Sequence, residues 1–206
     1  MRVTQIVELS KSRSKIFIDQ EFAFVLYKGE LNLYHISEGE EMTKQTYQTI
    51  MDEVLPKRAK LRAMNLLKSR EYTTMQLRIK LQQGFYPQAV IDEALDYVAD
   101  FHYIDDLRYA TDYITYNETR KSRKRMEQDL QKKGIAANVI EEAFGRWQEQ
   151  GGEQDEQGMI KYLLEKKHYN PADSDYKEKQ KIYAFLVRKG FASEQIRRAI
   201  GEWDFH

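Results

Sequence analysis

The chain contains no cysteine, only three prolines and ten glycines in 206 residues, and no excess of charge of either sign. Without cysteine there is no disulfide framework, no thiolate metal site and no cysteine nucleophile. So few breakers predict a largely helical chain. Lys and Arg number 33, as do Asp and Glu. The field of the whole molecule therefore draws in neither nucleic acid nor membrane, and any polyanion site must arise from local segregation of charge. No run approaches the roughly 20 apolar residues of a membrane span. Met1-Arg2-Val3 leads directly into alternating sequence without a signal-like apolar core. The expected compartment is the cytoplasm, with no membrane partner.

The usual catalytic signatures are missing too. There is no phosphate-binding glycine loop, no dinucleotide fingerprint and no zinc-protease motif. His35, His102, His168 and His206 are far apart in sequence and read as polar turn residues. Asp105-Asp106, at a helix start, is better explained by capping than by a Mg²⁺ site. The expectation is a protein that is not an enzyme, with no catalytic residue, no cofactor and no metal.

What is present begins with three short runs rich in β-branched and aromatic residues: Val3 to Leu9, Lys15 to Ile18 and Phe22 to Leu26. They predict a small antiparallel sheet, with Asp19-Gln20-Glu21 as a tight connection. A helix over Met42 to Leu55 follows, with Thr43 as N-cap, an apolar stripe of Tyr47, Ile50, Met51 and Val54, and Pro56 as its end. This leader holds 6 basic and 9 acidic residues over 1–56, an unpromising nucleic-acid surface.

The remainder is a repeat. Aligned on Leu81, Leu130 and Leu186, six columns are apolar in all three copies: Leu77, Met126 and Ile182 four residues before, the leucines themselves, then Ile91, Ile140 and Ile196, Ala94, Ala143 and Ala199, Leu95, Phe144 and Ile200, and Val98, Trp147 and Trp203. A glycine and an apolar residue punctuate each copy (Gly84-Phe85, Gly134-Ile135, Gly190-Phe191), one residue early in the first. These spacings trace two amphipathic helices joined by a left-handed glycine. A further helix precedes each pair, over Ala59 to Lys68, Leu107 to Asn117 and Met159 to Glu165. The predicted fold is mainly α: tandem three-helix repeats in an elongated array, preceded by a small antiparallel β leader with one helix. The expected divisions are a leader over 1–56 and repeats over 57–104, 105–150 and 151–206. Gln148 to Gly158 reads as a flexible joint, and the segment containing Asn170-Pro171 as a longer loop.

The densest charge is Arg120-Lys121-Ser122-Arg123-Lys124-Arg125, with Lys132 and Lys133 on later turns. An anionic partner is the reading preferred for this run. Smaller groups at Lys57, Arg58, Lys60 and Arg62, and at Arg188, Lys189, Arg197 and Arg198, read as solvated helix faces. Tyr103, Tyr109, Tyr113 and Tyr116 could stack on bases, but tyrosines at helical spacing more often fill a seam between helices.

The segment Tyr103-Ile104-Asp105-Asp106-Leu107-Arg108-Tyr109-Ala110, then Tyr113, then Arg125-x-x-x-Asp129-Leu130-x-x-Lys133-Gly134-Ile135, resembles the core signature of the RecX family. In the first repeat, Ala63-x-x-Leu66-Leu67-x-x-Arg70, Leu77-x-x-x-Leu81 and Gly84-Phe85 are also similar, as is Leu186-x-x-Lys189-Gly190-Phe191 in the third. The resemblance runs from about residue 58 onward. His102 and Ser122 depart from it, each standing where the family usually has glycine, and the first repeat is one residue short between leucine and glycine. The resemblance implies a regulator that binds the RecA nucleoprotein filament, lies along its groove and restrains its recombinase and ATPase activities, within homologous recombination, DNA repair and the SOS response. Single- or double-stranded DNA is a further candidate partner, and a monomer is expected. The site residues assigned from charge density are Arg120, Lys121, Arg123, Lys124 and Arg125, with Lys132 and Lys133 secondary, as contacts to phosphate or acidic side chains. The alternatives are a DNA-binding helical-repeat module acting without RecA and a general protein-interaction scaffold.

Overall fold

The computed structural model describes residues 1–201; Trp203 and His206 lie outside the described residues. The chain forms two compact units, residues 1–105 and 106–206. No helix among the described residues is long and apolar enough to cross a membrane.

The first unit opens with β1 (Val3–Ser10), β2 (Arg13–Ile18) and β3 (Glu21–Tyr27), an antiparallel sheet in the order β1-β2-β3. Asp19 and Gln20 alone make the β2–β3 connection, both with left-handed φ, 49° and 74°. Such a two-residue turn matches the twist of a hairpin. Glu21 already belongs to β3. Ile16 pairs with Phe24 across the strands, and Ile16, Ile18, Phe24 and Leu26 are buried.

After the short α1 (Lys28–Leu33) comes α2 (Lys44–Thr49), capped by Thr43, whose hydroxyl accepts from the Thr46 N–H at 3.0 Å. The expectation that Pro56 ends this helix fails. Residues Ile50–Val54 continue as π-helical turns, and α3 (Leu55–Ser69) follows without a break. The Leu55 N–H donates to the Ile50 carbonyl five residues back. The ladder thus slips by one residue just where proline brings no donor and its ring needs room. With α4 (Thr74–Gln82) and α5 (Gln88–Asp100), α3 completes the first three-helix repeat. Sheet and repeat share one core: Phe24, Leu26 and Ile16 are buried in the same cluster as Leu55, Ala59, Leu77, Leu81 and Val98.

The second unit holds two further repeats. Its helices are α6 (Asp106–Asn117), α7 (Arg123–Lys132) and α8 (Ala137–Glu149), then α9 (Glu156–Lys166), α10 (Tyr176–Lys189) and α11 (Ser193–Ile200). Each set of three has its own core, one around Met126, Leu130 and Phe144, the other around Ile160, Leu186 and Ile196. The apolar columns are buried in every described copy, except that Ala199 is half-buried.

The glycine-plus-apolar signature is a helix stop. Gly134 and Gly190 take φ of 86° and 94°, and the next residues donate back to the column leucines, Ile135 N to Leu130 O at 3.2 Å and Phe191 N to Leu186 O at 3.3 Å. This is the Schellman arrangement, with its apolar residue beyond the cap. In the first repeat the left-handed position falls at the same column, four residues after Leu81, but Phe85 occupies it, at φ 63°. No residue is missing there; the glycine stands one place early. Phe85 is retained by packing on Phe22, with ring centres 6.3 Å apart, and beneath the Lys15 ammonium at 4.3 Å.

The three described histidines do the same work at other helix ends. His35, His102 and His168 have φ of 52°, 55° and 54°, and each is followed by a residue that donates five back: Ile36 to Leu31, Tyr103 to Val98 and Tyr169 to Leu164. His102 thus occupies a left-handed position, which explains the glycine usual there. A non-glycine residue bears about 1 kcal/mol of strain in that conformation.

Candidate functional site

The basic run lies between α6 and α7 and on into α7, and the structure divides it. Ser122 is the N-cap of α7: its hydroxyl accepts from the Arg125 N–H at 3.2 Å. Residues flanking this cap are spaced so that Arg123 and Arg125 leave the helix on different sides.

On one side, Arg123 is tied into the fold by carboxylates. Its guanidinium binds Glu127 at 2.8 Å and Glu141 at 2.8 Å and lies 4.4 Å over the Phe144 ring, while its backbone N–H donates to Glu156 at 3.1 Å. Glu127 first, then Glu141, hold its pKa above the ordinary arginine value against the effect of burial.

On the other side, Lys121 and Arg125 converge on Asp129, whose side chain is only 14% exposed. The Lys121 ammonium donates to Asp129 at 3.0 Å and to the Tyr113 hydroxyl at 2.6 Å; Tyr113 donates to Asp129 at 2.9 Å; Arg125 Nε lies 3.2 Å from the same carboxylate. Burial opposes ionisation of Asp129, but the hydrogen bonds from Lys121 and Tyr113 outweigh it and hold the carboxyl below its usual range. For Lys121 likewise, burial is outweighed by Tyr113 and Asp129, and its pKa is raised. Asp129 was not among the residues assigned from charge density, although the Arg125–Asp129 spacing of one helical turn was a readable signal.

The remaining cations line up along the tyrosines of α6. Arg120 lies 4.6 Å over the Tyr116 ring, Lys121 lies 5.0 Å over Tyr113, and Lys133 lies 5.6 Å from the ring centre of Tyr109 and 5.8 Å from that of Tyr113. Tyr109 and Tyr113 pack against the repeat core, as a seam would have them, but Tyr116 is 68% exposed. Tyr103 belongs to the first unit and stacks on Phe101. Lys124 and Lys132 are exposed and meet no carboxylate among the described residues; Arg120 is exposed also. Two helical turns separate Lys124 from Lys132, about 12 Å on one face. Of the cations in and after the run, Arg120, Lys124 and Lys132 are thus the exposed ones, while Lys121 and Arg125 are shared with Asp129. Among the other basic groups, Arg58 is paired with Glu30, Lys60 with Glu93 at 2.7 Å and Arg198 with Glu194.

The same loop also joins the second repeat to the third. The Ser122 hydroxyl donates to the Lys189 carbonyl at 3.2 Å, and Gln154 Nε2 donates to the carbonyls of Glu118 at 3.0 Å and Lys121 at 2.6 Å. Gly190 faces the start of α7, where an added Cβ would lie 2.7 Å from Arg125 Cβ and closer still to the Ser122 hydroxyl. A Cβ on Gly152 would run into the Trp147 ring. The segment expected to be a flexible joint is thus tied down by Gln154 and by close packing on Trp147. Serine in place of the usual glycine at 122 supplies a hydroxyl that glycine lacks, and with it a hydrogen bond between repeats.

Three-helix units repeated in tandem, with capped helix stops at recurrent positions, define a helical-repeat protein. Models of the RecX three-helix domains match the chain in order: the first over residues 59–97, the second over 105–143 and the third over 154–200. The chain belongs to the RecX family. It is 28% identical over 202 residues to the regulatory protein RecX of Caldanaerobacter subterraneus subsp. tengcongensis, covering 97% of this chain and 98% of that one. To the regulatory protein RecX of Clostridium acetobutylicum it is 24% identical over 195 residues, 93% of this chain and 90% of the relative. The fold is similar to that of a crystal structure of regulatory protein RecX, with a TM-score of 0.60, 22% identity and coverage of 97% and 98% of the two chains. For RecX from Lactobacillus salivarius the TM-score is 0.54 at 24% identity, over 71% of this chain and 95% of that one.

Proposed function

We propose that this chain binds the RecA nucleoprotein filament and restrains its recombinase and ATPase activities in the cytoplasm. Membership of a family whose relatives carry the name regulatory protein supports this reading. The observation that carries the site is the exposure of Arg120, Lys124 and Lys132, the first of them over the Tyr116 ring. Exposed cations of this kind present charge without a deep pocket, suited to a partner made of protein and nucleic acid together, and several repeats can add their contacts as avidity. The role of Lys121 and Arg125 is to hold this face in place through Asp129. Arg123 supports the fold from the other side of α7.

The test is the ATPase rate of RecA on single-stranded DNA with this protein titrated in, and DNA binding by the protein alone in the same buffer. Inhibition at substoichiometric amounts with weak binding to bare DNA is expected. Lys124→Glu with Lys132→Glu should weaken filament binding about tenfold with the thermal melt unchanged. Full inhibition by that variant would remove the site assignment. A second reading, direct binding of single-stranded DNA, is favoured by the exposed Tyr116 ring with Arg120 above it. It predicts inhibition only when the protein saturates the strand, with a steep salt dependence.

A further inference from the structure

In the first unit, Arg13 of β2, Arg62 of α3 and Lys80 of α4 line one cleft of about 400 Å³, with Tyr27, Gln83 and Tyr86. The three cations come from three different elements, a strand and two helices. Arg13 stands directly opposite Tyr27 across β2 and β3, so both side chains share a face of the sheet. Arg62 lies one turn beyond Arg58 on α3.

Neighbouring cations in this unit are committed to carboxylates: Lys28 to Glu8 at 3.5 Å, Arg58 to Glu30, Lys60 to Glu93 and Arg78 to Asp92 at 2.5 Å. Arg13, Arg62 and Lys80 meet none among the described residues, and no acidic side chain lines the cleft. Lys80 donates to the Gln83 amide oxygen at 3.4 Å, its one hydrogen bond among the described residues. The walls are set independently of any ligand. Arg58 lies 4.7 Å over the Tyr27 ring and donates to the Val25 carbonyl at 3.0 Å, which fixes that ring. Gly84 lets the Tyr86 ring lie against the backbone, since a Cβ there would come within 2.8 Å of the ring. Burial raises the Tyr86 phenol above its usual range, against the pull of Arg58, Arg62 and Arg13, so the hydroxyl stays protonated at neutral pH.

Two guanidinium forks, an ammonium and neutral hydroxyl and amide groups make a set rich in donors, and an unoffset set of like charges is relieved by an oxyanion. Ligand pockets for apolar molecules are mostly apolar-walled, and this one is not. We infer that this cleft, where the leader meets the first repeat, binds a phosphate group. The leader, acidic as a whole, contributes one arginine at the place where the first repeat contributes two further cations.

The full-length chain without any partner is the material for the test, which makes it independent of the filament reading. Inorganic pyrophosphate should show broadened phosphorus NMR lines on adding the protein at low salt. Arg62→Ala and Lys80→Ala should each weaken binding about fivefold, and the triple change with Arg13→Ala should abolish it. Lys57→Ala, exposed on α3 and away from the cleft, should leave it unchanged, and circular dichroism should report the same fold throughout. Absence of broadening with the unaltered chain, or equal broadening with the triple variant, would overturn the assignment. An oligothymidylate that displaces pyrophosphate, and loses affinity in the triple variant, would identify the phosphate as that of a nucleic-acid strand. Failure to displace it would identify a free phosphate or nucleotide; either result upholds the site.

Discussion

Where the leader meets the first repeat, Ile16, Phe24 and Leu26 are buried in one core with Leu55, Ala59, Leu77 and Leu81. Where the second repeat meets the third, each keeps its own core, and the contacts are a serine hydroxyl, a glutamine amide, a glutamate carboxylate and a glycine backbone. Apolar joins are strong and undirected, whereas hydrogen-bonded joins contribute less but fix one geometry. The first junction should therefore fold as a unit with its repeat. The second should yield by itself, and the basic run lies on it.

The largest test of that difference is Phe24→Ala. Loss of a fully buried ring from the shared core should cost about 3–5 kcal/mol, and urea unfolding should show sheet and first repeat lost in one transition. Separate transitions would break the comparison. Gly190→Ala comes next, at about 2–3 kcal/mol, from a left-handed backbone and collision with the start of α7. Its effect should be confined to the second unit, seen as faster amide exchange in α10 and α11 with α3 unchanged.

Asp129→Asn should cost about 2 kcal/mol by leaving Lys121 and Arg125 without their shared carboxylate. Because the folded pKa of Asp129 is depressed, its stabilisation is complete above the unfolded value of about 4 and is lost as pH falls through the lower folded value. The unaltered chain should therefore lose stability more steeply than the variant below about pH 4, by thermal melts across that window. Ser122→Ala should cost about 1 kcal/mol through the cap and the bond to Lys189. The smallest effect expected is a gain: His35→Gly should raise stability by roughly 0.5 kcal/mol, as relief at φ 52° exceeds the entropy of glycine.

The repeat was legible because its core columns are apolar at fixed spacing, and periodicity reports burial directly. The helix stops were legible only where glycine made them. His35-Ile36, His102-Tyr103 and His168-Tyr169 perform the same turn, but a histidine carries no mark of left-handed backbone, and Phe85 carries still less. Pro56 misled because the π-helical turns that accommodate it leave no mark in the spacing. Charge density marks the basic run in sequence but does not show how its members are placed in space. It could not tell Arg123, held by Glu127 and Glu141, from Lys124, exposed beside it. Nor could it assemble Arg13, Arg62 and Lys80, which only the packing of sheet against helices brings together.

The unbroken helical run from Lys44 to Ser69 has a mechanical meaning. At 1.5 Å per residue it is a strut of roughly 35–40 Å, rooted at one end beside the sheet and serving along the rest as the first helix of a repeat. A tug on the sheet is not absorbed by a slack tether but passes along the rod to the buried faces of α4 and α5. In an optical trap, pulling from the amino terminus should give one force peak for sheet and first repeat together, because no compliant element separates them.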